Sequence, residues 1–262
     1  MNLAFWRLAL VLLCMAALPA SAARLLIFGE QHDQPDQQRQ VAAEVQALAA
    51  QGRLAAVVLE MAEQPHGTRA LPRDASEATV RDALRWTGWP WEPYAAVVMN
   101  AVRAGVPVLG GNLPRGEMRA AMADTALDDR LDAATRALLV DAVRSGHCHL
   151  LPAAQEPGMV RIQIARDLAM ARVAAQALRA APPESTVLLL TGAQHASRDR
   201  GILRHLPAAD ATAPAHVVMF VDASSGLVAD ERRSAVFTPQ DDHCESLRQR
   251  MAAPKAASAA AR

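Results

Sequence analysis

Five short segments of this 262-residue chain are apolar almost without a break: RLLIFGE (24–30), AAVVLEM (55–61), VPVLGGN (106–112), TVLLLTG (186–192) and HVVMFVD (216–222). A strand with one wet face alternates apolar and polar residues, whereas a strand covered on both faces does not. Helical spacing fills the gaps. Residues 35–51 carry Val41, Val45 and Leu48 at helical intervals behind Pro35, which suits a first helical turn. Residues 93–104, 115–126, 128–145 and 159–180 also read as helices that end near Gly or Pro. Strands alternating with helices imply an α/β fold with a mostly parallel central sheet flanked by helices. Residues 113–185, between the third and fourth strands, are expected to form a helical insertion or cap. With 52% hydrophobic residues the chain has enough apolar material for one domain, expected to span 23–245. The last stretch, 246–262, shows no packing pattern and is expected to be a frayed, disordered tail.

The N-terminus, MNLAFWRLALVLLCMAALPASAA, has one positive residue, Arg7, then an apolar run from Leu8 to Leu18 and the small residues Ala20, Ser21 and Ala22. That is the layout of a cleaved secretory signal, so residues 1–22 are expected to be a signal peptide cut after Ala22, leaving a periplasmic protein. The apolar run is shorter than the roughly 20 residues that span a bilayer. Cys14 follows Leu13 rather than a small residue, which disfavours lipoprotein anchoring. The mature chain keeps Cys148 and Cys244, and an oxidising compartment allows them to pair or to stay free. Lys+Arg and Asp+Glu both number 27, so the chain lacks the basic footprint that nucleic acid would require.

Open parallel sheets bind ligands outside the carboxyl ends of their strands. The first strand ends in Gly29-Glu30-Gln31-His32, the second in Glu60, the third in Gly110-Gly111-Asn112, and the fourth runs through Gly192 to His195. Glu30, His32, Glu60 and His195, from three strand ends, are therefore expected to converge on one pocket. Asp33, just before Pro35, fits a helix N-cap, and Gly29 is expected to permit a tight turn. The four converging residues suit two chemistries. They can ligate zinc or a similar divalent ion with one position left open. They can also act as a metal-free acid/base set, with His32 as general base oriented by a glutamate. No HExxH, P-loop or GxSxG element is present to choose between them.

Two further stretches stand out. WTGWPWEPYAAVV holds Trp86, Trp89, Trp91 and Tyr94, four of only nine aromatic residues in the chain. Such a cluster lines a pocket for a flat ligand or packs beneath a helix. SGHCHLLP presents His147, Cys148 and His149: two ligands on one face of an extended segment, or a loop around a disulfide cysteine.

FGEQHDQPDQQ, LEM, WPWEPY, GGNLPR, HCHLLP, QIARDLAMA and LLTGAQHASRDRGI occur in the order seen in ChaN-like haem-binding proteins. The chain resembles that family from about residue 24 to about 222. The wider superfamily includes Tiki-type metalloproteases and erythromycin esterases. The resemblance implies a secreted or membrane-associated bacterial protein of haem or iron uptake. It implies haem as cofactor, a homodimer around paired face-to-face haems, and an outer-membrane haem-uptake system as partner. For Glu30, His32, Glu60 and His195 it implies the catalytic or metal-binding roles of enzymatic relatives. The family associates haem with a tyrosine ligand, and Tyr94 is the single tyrosine here; Trp91, His147 and His149 are the other expected cofactor contacts. His149 stands where the family pattern has glycine. A haem-binding protein of iron uptake is the first expectation, and a hydrolase, metal-dependent or built on His and Glu, is the alternative.

Overall fold

In the computed structural model, residues 22–221, 223–240 and 242–252 are described. The expected signal peptide lies, apart from residue 22, outside the described residues. Six parallel strands form one sheet: β1 (Arg24–Glu30), β2 (Leu54–Glu63), β3 (Val108–Asn112), β4 (Thr186–Gly192), β5 (Ala215–Met219) and β6 (Glu231–Arg232). Their order is β3-β2-β4-β1-β5-β6, so β4 is inserted between β1 and β2 after the chain has already left both. Ile27 pairs with Leu189, and Val57 with Leu188, which aligns the carboxyl ends of the three central strands.

The helices are α1 (Pro35–Ala50), α2 (Glu77–Ala83), α3 (Glu92–Arg103), α4 (Met118–Ala123), α5 (Ala133–Gly146), α6 (Glu156–Ala180), α7 (Ala193–Ala196) and α8 (His243–Ala252). Alternate residues of each strand serve opposite layers. Phe28, Val57, Leu59, Leu188 and Leu190 meet Val41 and Val45 of α1 and Val97 and Val98 of α3. Ile27, Val58 and Leu189 meet Met170, Ala171 and Ala174 of α6 on the other face. Both faces are thereby dry, which is why the strands read as continuous apolar runs. The insertion between β3 and β4 has its own apolar cluster, in which Leu113, Leu127, Leu139, Val143, Val160 and Ile164 join α5 to the first half of α6. The rest of α6 is buried nearly all round, the pattern of a helix enclosed by its neighbours.

Four details differ from the sequence reading. Helix α8 occupies 243–252, so the expected tail begins as ordered helix; Cys244 explains this, because it is bonded to Cys148 in the turn after α5 and ties α8 down. Helix α2 was not foreseen, being too short to show a period. Asp33 does not cap α1: Gln34 holds the N-cap position and its side chain makes no capping bond. Gly29 lies inside β1 and turns nothing. A Cβ there would sit 2.7 Å from the Ala196 Cβ and 3.2 Å from the Ala193 Cα, so glycine makes room for α7. Among the described residues no helix is long and apolar enough to cross a membrane.

Candidate functional site

Because β2, β4 and β1 are neighbours, their carboxyl ends bring Glu60, the Gly192–His195 turn and Glu30 with His32 side by side. The structure thus brings together all four residues singled out at the strand ends. Strand β2 does not end at Glu60; it continues to Glu63, but its ladder with β4 stops at Leu59 and Leu190. Glu60 is the first residue past that ladder. Its Oε2 accepts hydrogen bonds from the Thr191 hydroxyl at 2.6 Å and the Gly192 N–H at 2.7 Å. Its Oε1 accepts a hydrogen bond from the Arg166 guanidinium and lies 3.8 Å from Nε2 of both His32 and His195.

The two glutamates are driven apart electrostatically. Burial alone would favour the neutral form of Glu60, but the charges of His195, Arg166 and His32, with the Thr191 hydroxyl, outweigh it and hold the carboxyl well below its usual range. For Glu30 burial wins. It pushes the carboxyl up, and the hydrogen bonds from His32 (2.9 Å), Tyr94 (2.7 Å) and Gln38 (2.5 Å) offset this only in part. Burial also works against a charge on His32, yet the Glu30 hydrogen bond and the negative charges of Glu60 and Glu30 raise its pKa overall. Titratable groups with opposed shifts in one cleft are the usual mark of a working site.

Residues of α6 complete the cluster. Arg166 reaches Glu60 and donates to Asn112 Oδ1 at 3.0 Å, while Asn112 donates to the Glu60 carbonyl at 2.9 Å. The next residue, Asp167, is 1% exposed and accepts from His195 Nδ1 at 2.7 Å. That bond fixes the imidazole with Nε2 toward Glu60. Arg166, Asp167, Gln38 and Thr191 were missed in the sequence. The available signal was Asp167, the one acidic residue of α6 beyond its first turn, since a carboxylate on the buried side of a helix must find a partner.

These groups floor a cavity of about 790 Å³. Its apolar walls come from Trp89, Leu139, Val143, Val221 and Leu227, and His147 and His243 also line it. Trp89 is the member of the Trp-rich stretch that reaches this cavity, with its ring 4.5 Å from that of His32. Tyr94 and Trp91, expected as haem contacts, are absent from the wall. Tyr94 is fully buried with its hydroxyl given to Glu30, and burial beside Glu30 raises its pKa strongly. Trp91 is buried and donates to Glu77 at 2.9 Å, packing edge-on against Trp86. Trp91 and Tyr94 of the WPWEPY stretch therefore belong to the core, while Trp89 faces the cavity. His147 lines the cavity and His149 does not. Cys148 and His149 both adopt left-handed φ, 55° and 57°, so the segment turns instead of extending, and the one-face reading fails. The same geometry accounts for a glycine pattern at position 149.

The divalent-metal expectation gains no support from the geometry. Among the described residues no group of three or more His, Cys, Asp or Glu is disposed to hold a metal ion. Glu60 already spends one oxygen on Arg166 and the other on Thr191 and Gly192, and the guanidinium supplies the positive charge that a cation would bring.

The family model described as haem-binding uptake, Tiki superfamily, ChaN matches residues 17–206. The chain belongs to the ChaN family. This ChaN-family chain is similar in structure to ChaN of Campylobacter jejuni, a protein described by its cofacial haem binding. The identity is 24% and the TM-score 0.62, over 76% of this chain and 82% of that one. A weaker likeness is to the type III effector HopBA1, at 14% identity and a TM-score of 0.42, over 81% and 88% of the two chains. No curated protein matches the sequence.

Proposed function

We propose that this ChaN-family protein binds haem in the cavity above the β2-β4-β1 strand ends and serves haem or iron uptake. The observation that carries the reading is the cavity itself. At about 790 Å³ it is of the size that takes a small-molecule or cofactor ligand, and it combines apolar walls with imidazole donors. Both features fit a flat, largely apolar porphyrin with an iron centre. Bound haem would supply the iron cargo; the chain's own part is to exclude water through Trp89, Leu139, Val143 and Leu227 and to present nitrogen donors. In this proposal residues 1–22 direct the chain to the periplasm, a second copy pairs with the first around two haems, and an outer-membrane uptake system is the partner. Titrating hemin into the mature protein is expected to give a saturable Soret shift at one haem per chain. Absence of saturation would overturn the reading.

A second reading, a hydrolase built on His and Glu, is favoured by the His195–Asp167 hydrogen bond. Asp167 orients the ring, and His195 Nε2 is then suited to take a proton from water beside the Glu60 anion and Arg166. In this reading hydrolysis of a chromogenic ester is expected in the wild type and is lost in His195→Gln with the hemin titration intact. Wild-type turnover no faster than buffer would sink it.

A further inference from the structure

Four imidazoles line the cavity: His32, His195, His147 and His243. Two of them belong to the charge cluster. His32 holds Glu30 and His195 holds Asp167 through Nδ1, and the Nε2 of each lies 3.8 Å from Glu60 Oε1. Neither of the other two has a carboxylate within hydrogen-bond reach among the described residues, and His243 acts only at longer range on Asp242. These two are the neighbours of Cys148 and Cys244, so the disulfide brings them to one wall.

His147 ends α5, and its Nδ1 lies 2.7 Å from the Val143 carbonyl oxygen. A carbonyl can only accept, so Nδ1 carries the proton and the neutral ring keeps its lone pair on Nε2. Among the described residues Nε2 has no hydrogen-bond partner. Histidines that ligate metals are typically held in this way, with the other ring N–H donated to a backbone carbonyl. Leu139 and Val143, on the same helix, are cavity walls, so the apolar surface runs directly up to this imidazole. His243 is more exposed, and its Nε2 meets the Gly146 carbonyl at a longer 3.3 Å.

We propose that His147 would hold the haem iron through Nε2, an imidazole in place of a phenolate. The inference rests on the haem reading above. Tyr94 is unsuited to the role because its hydroxyl is buried on Glu30.

Hemin titrations of the wild type and of the His147→Ala, His147→Met and His216→Ala variants, followed by absorption and electron paramagnetic resonance, test the assignment. The wild type is expected to show a nitrogen-ligated ferric spectrum. His147→Ala loses that signature, and added free imidazole restores it. His147→Met shifts it to that of a sulfur ligand and decides the matter if the alanine variant fails to fold by circular dichroism. His216→Ala, at an exposed imidazole outside the cavity, leaves the spectrum unchanged. A wild-type phenolate spectrum, an unaltered spectrum in either His147 variant, or loss of the signature in His216→Ala would each overturn the assignment while haem binding stands. A wild type with no saturable Soret band overturns the haem reading itself, and this inference with it.

Discussion

Replacing Glu60 by leucine is expected to destabilise the protein by about 3–5 kcal/mol, the usual cost of removing one partner from a buried ion pair. Glu60 is 2% exposed, and it is the shared counter-charge of Arg166, His32 and His195. Without it a guanidinium is left beside two imidazoles, and the Thr191 hydroxyl and Gly192 N–H lose their acceptor. Chemical denaturation measures the loss. The double variant Glu60→Leu with Arg166→Met is expected to recover part of it, because it removes the stranded charge as well as its partner. A Glu60→Leu midpoint equal to that of the wild type would mean that the cluster contributes no net stability.

The same variant has a distinct pH dependence. Glu60 has a folded pKa below its ordinary 4.5, so its contribution is complete above about pH 4.5 and is lost as pH falls through the folded value. His32 has a folded pKa above 6.5, so its contribution is complete below about pH 6.5 and is lost as pH rises through the folded value. Glu30 is also raised, so its contribution is complete below about pH 4.5 and is lost as pH rises through the folded value. Wild-type stability is therefore expected to decline toward acid because of Glu60 and toward base because of His32 and Glu30. Glu60→Leu flattens the acid limb and, by removing a negative charge near His32, lowers the folded His32 pKa and so shortens that residue's part of the alkaline limb.

Opening the Cys148–Cys244 bridge is the second large effect expected. The cysteines are 96 residues apart in sequence, and a loop of that size is worth roughly 2–4 kcal/mol when closed by a disulfide. For a domain of this length that corresponds to a fall in Tm of roughly 4–16 °C. The Cys148→Ser, Cys244→Ser double variant and the reduced wild type should show the same shift by calorimetry. Both should also expose α8 to limited proteolysis, since the bridge is its covalent tie to the turn after α5. A Tm unmoved by reduction would mean that α8 docks without help.

Much of this site was legible before any coordinates. Glu30, His32, Glu60 and His195 stood out because each interrupts or follows a dry apolar strand, where a charge needs a reason. Asp167 and Arg166 were not legible as partners. They lie in a helix more than a hundred residues from Glu60, and only its packing across the sheet faces them toward β2 and α7. Tyr94 is the opposite case. The resemblance to a family with a tyrosine ligand suggested a role in ligation, but a resemblance does not say which face of α3 enters the core. The Cys148–Cys244 pairing was open for the same reason, since separation along the chain does not measure distance across it.

Periodicity and composition were sufficient for the α/β class, the parallel strands and the end of the sheet at which chemistry would collect, because burial on both faces imprints a continuous apolar run that nothing else explains. The strand order was decided only in three dimensions. The insertion of β4 between β1 and β2 is what makes His195 a neighbour of Glu60 and His32, and it depends on how the crossovers pack rather than on any local pattern. The same holds for the opposed shifts of Glu30 and Glu60: one residue type at two strand ends is pushed up at one and down at the other by burial and partners that only the folded chain supplies.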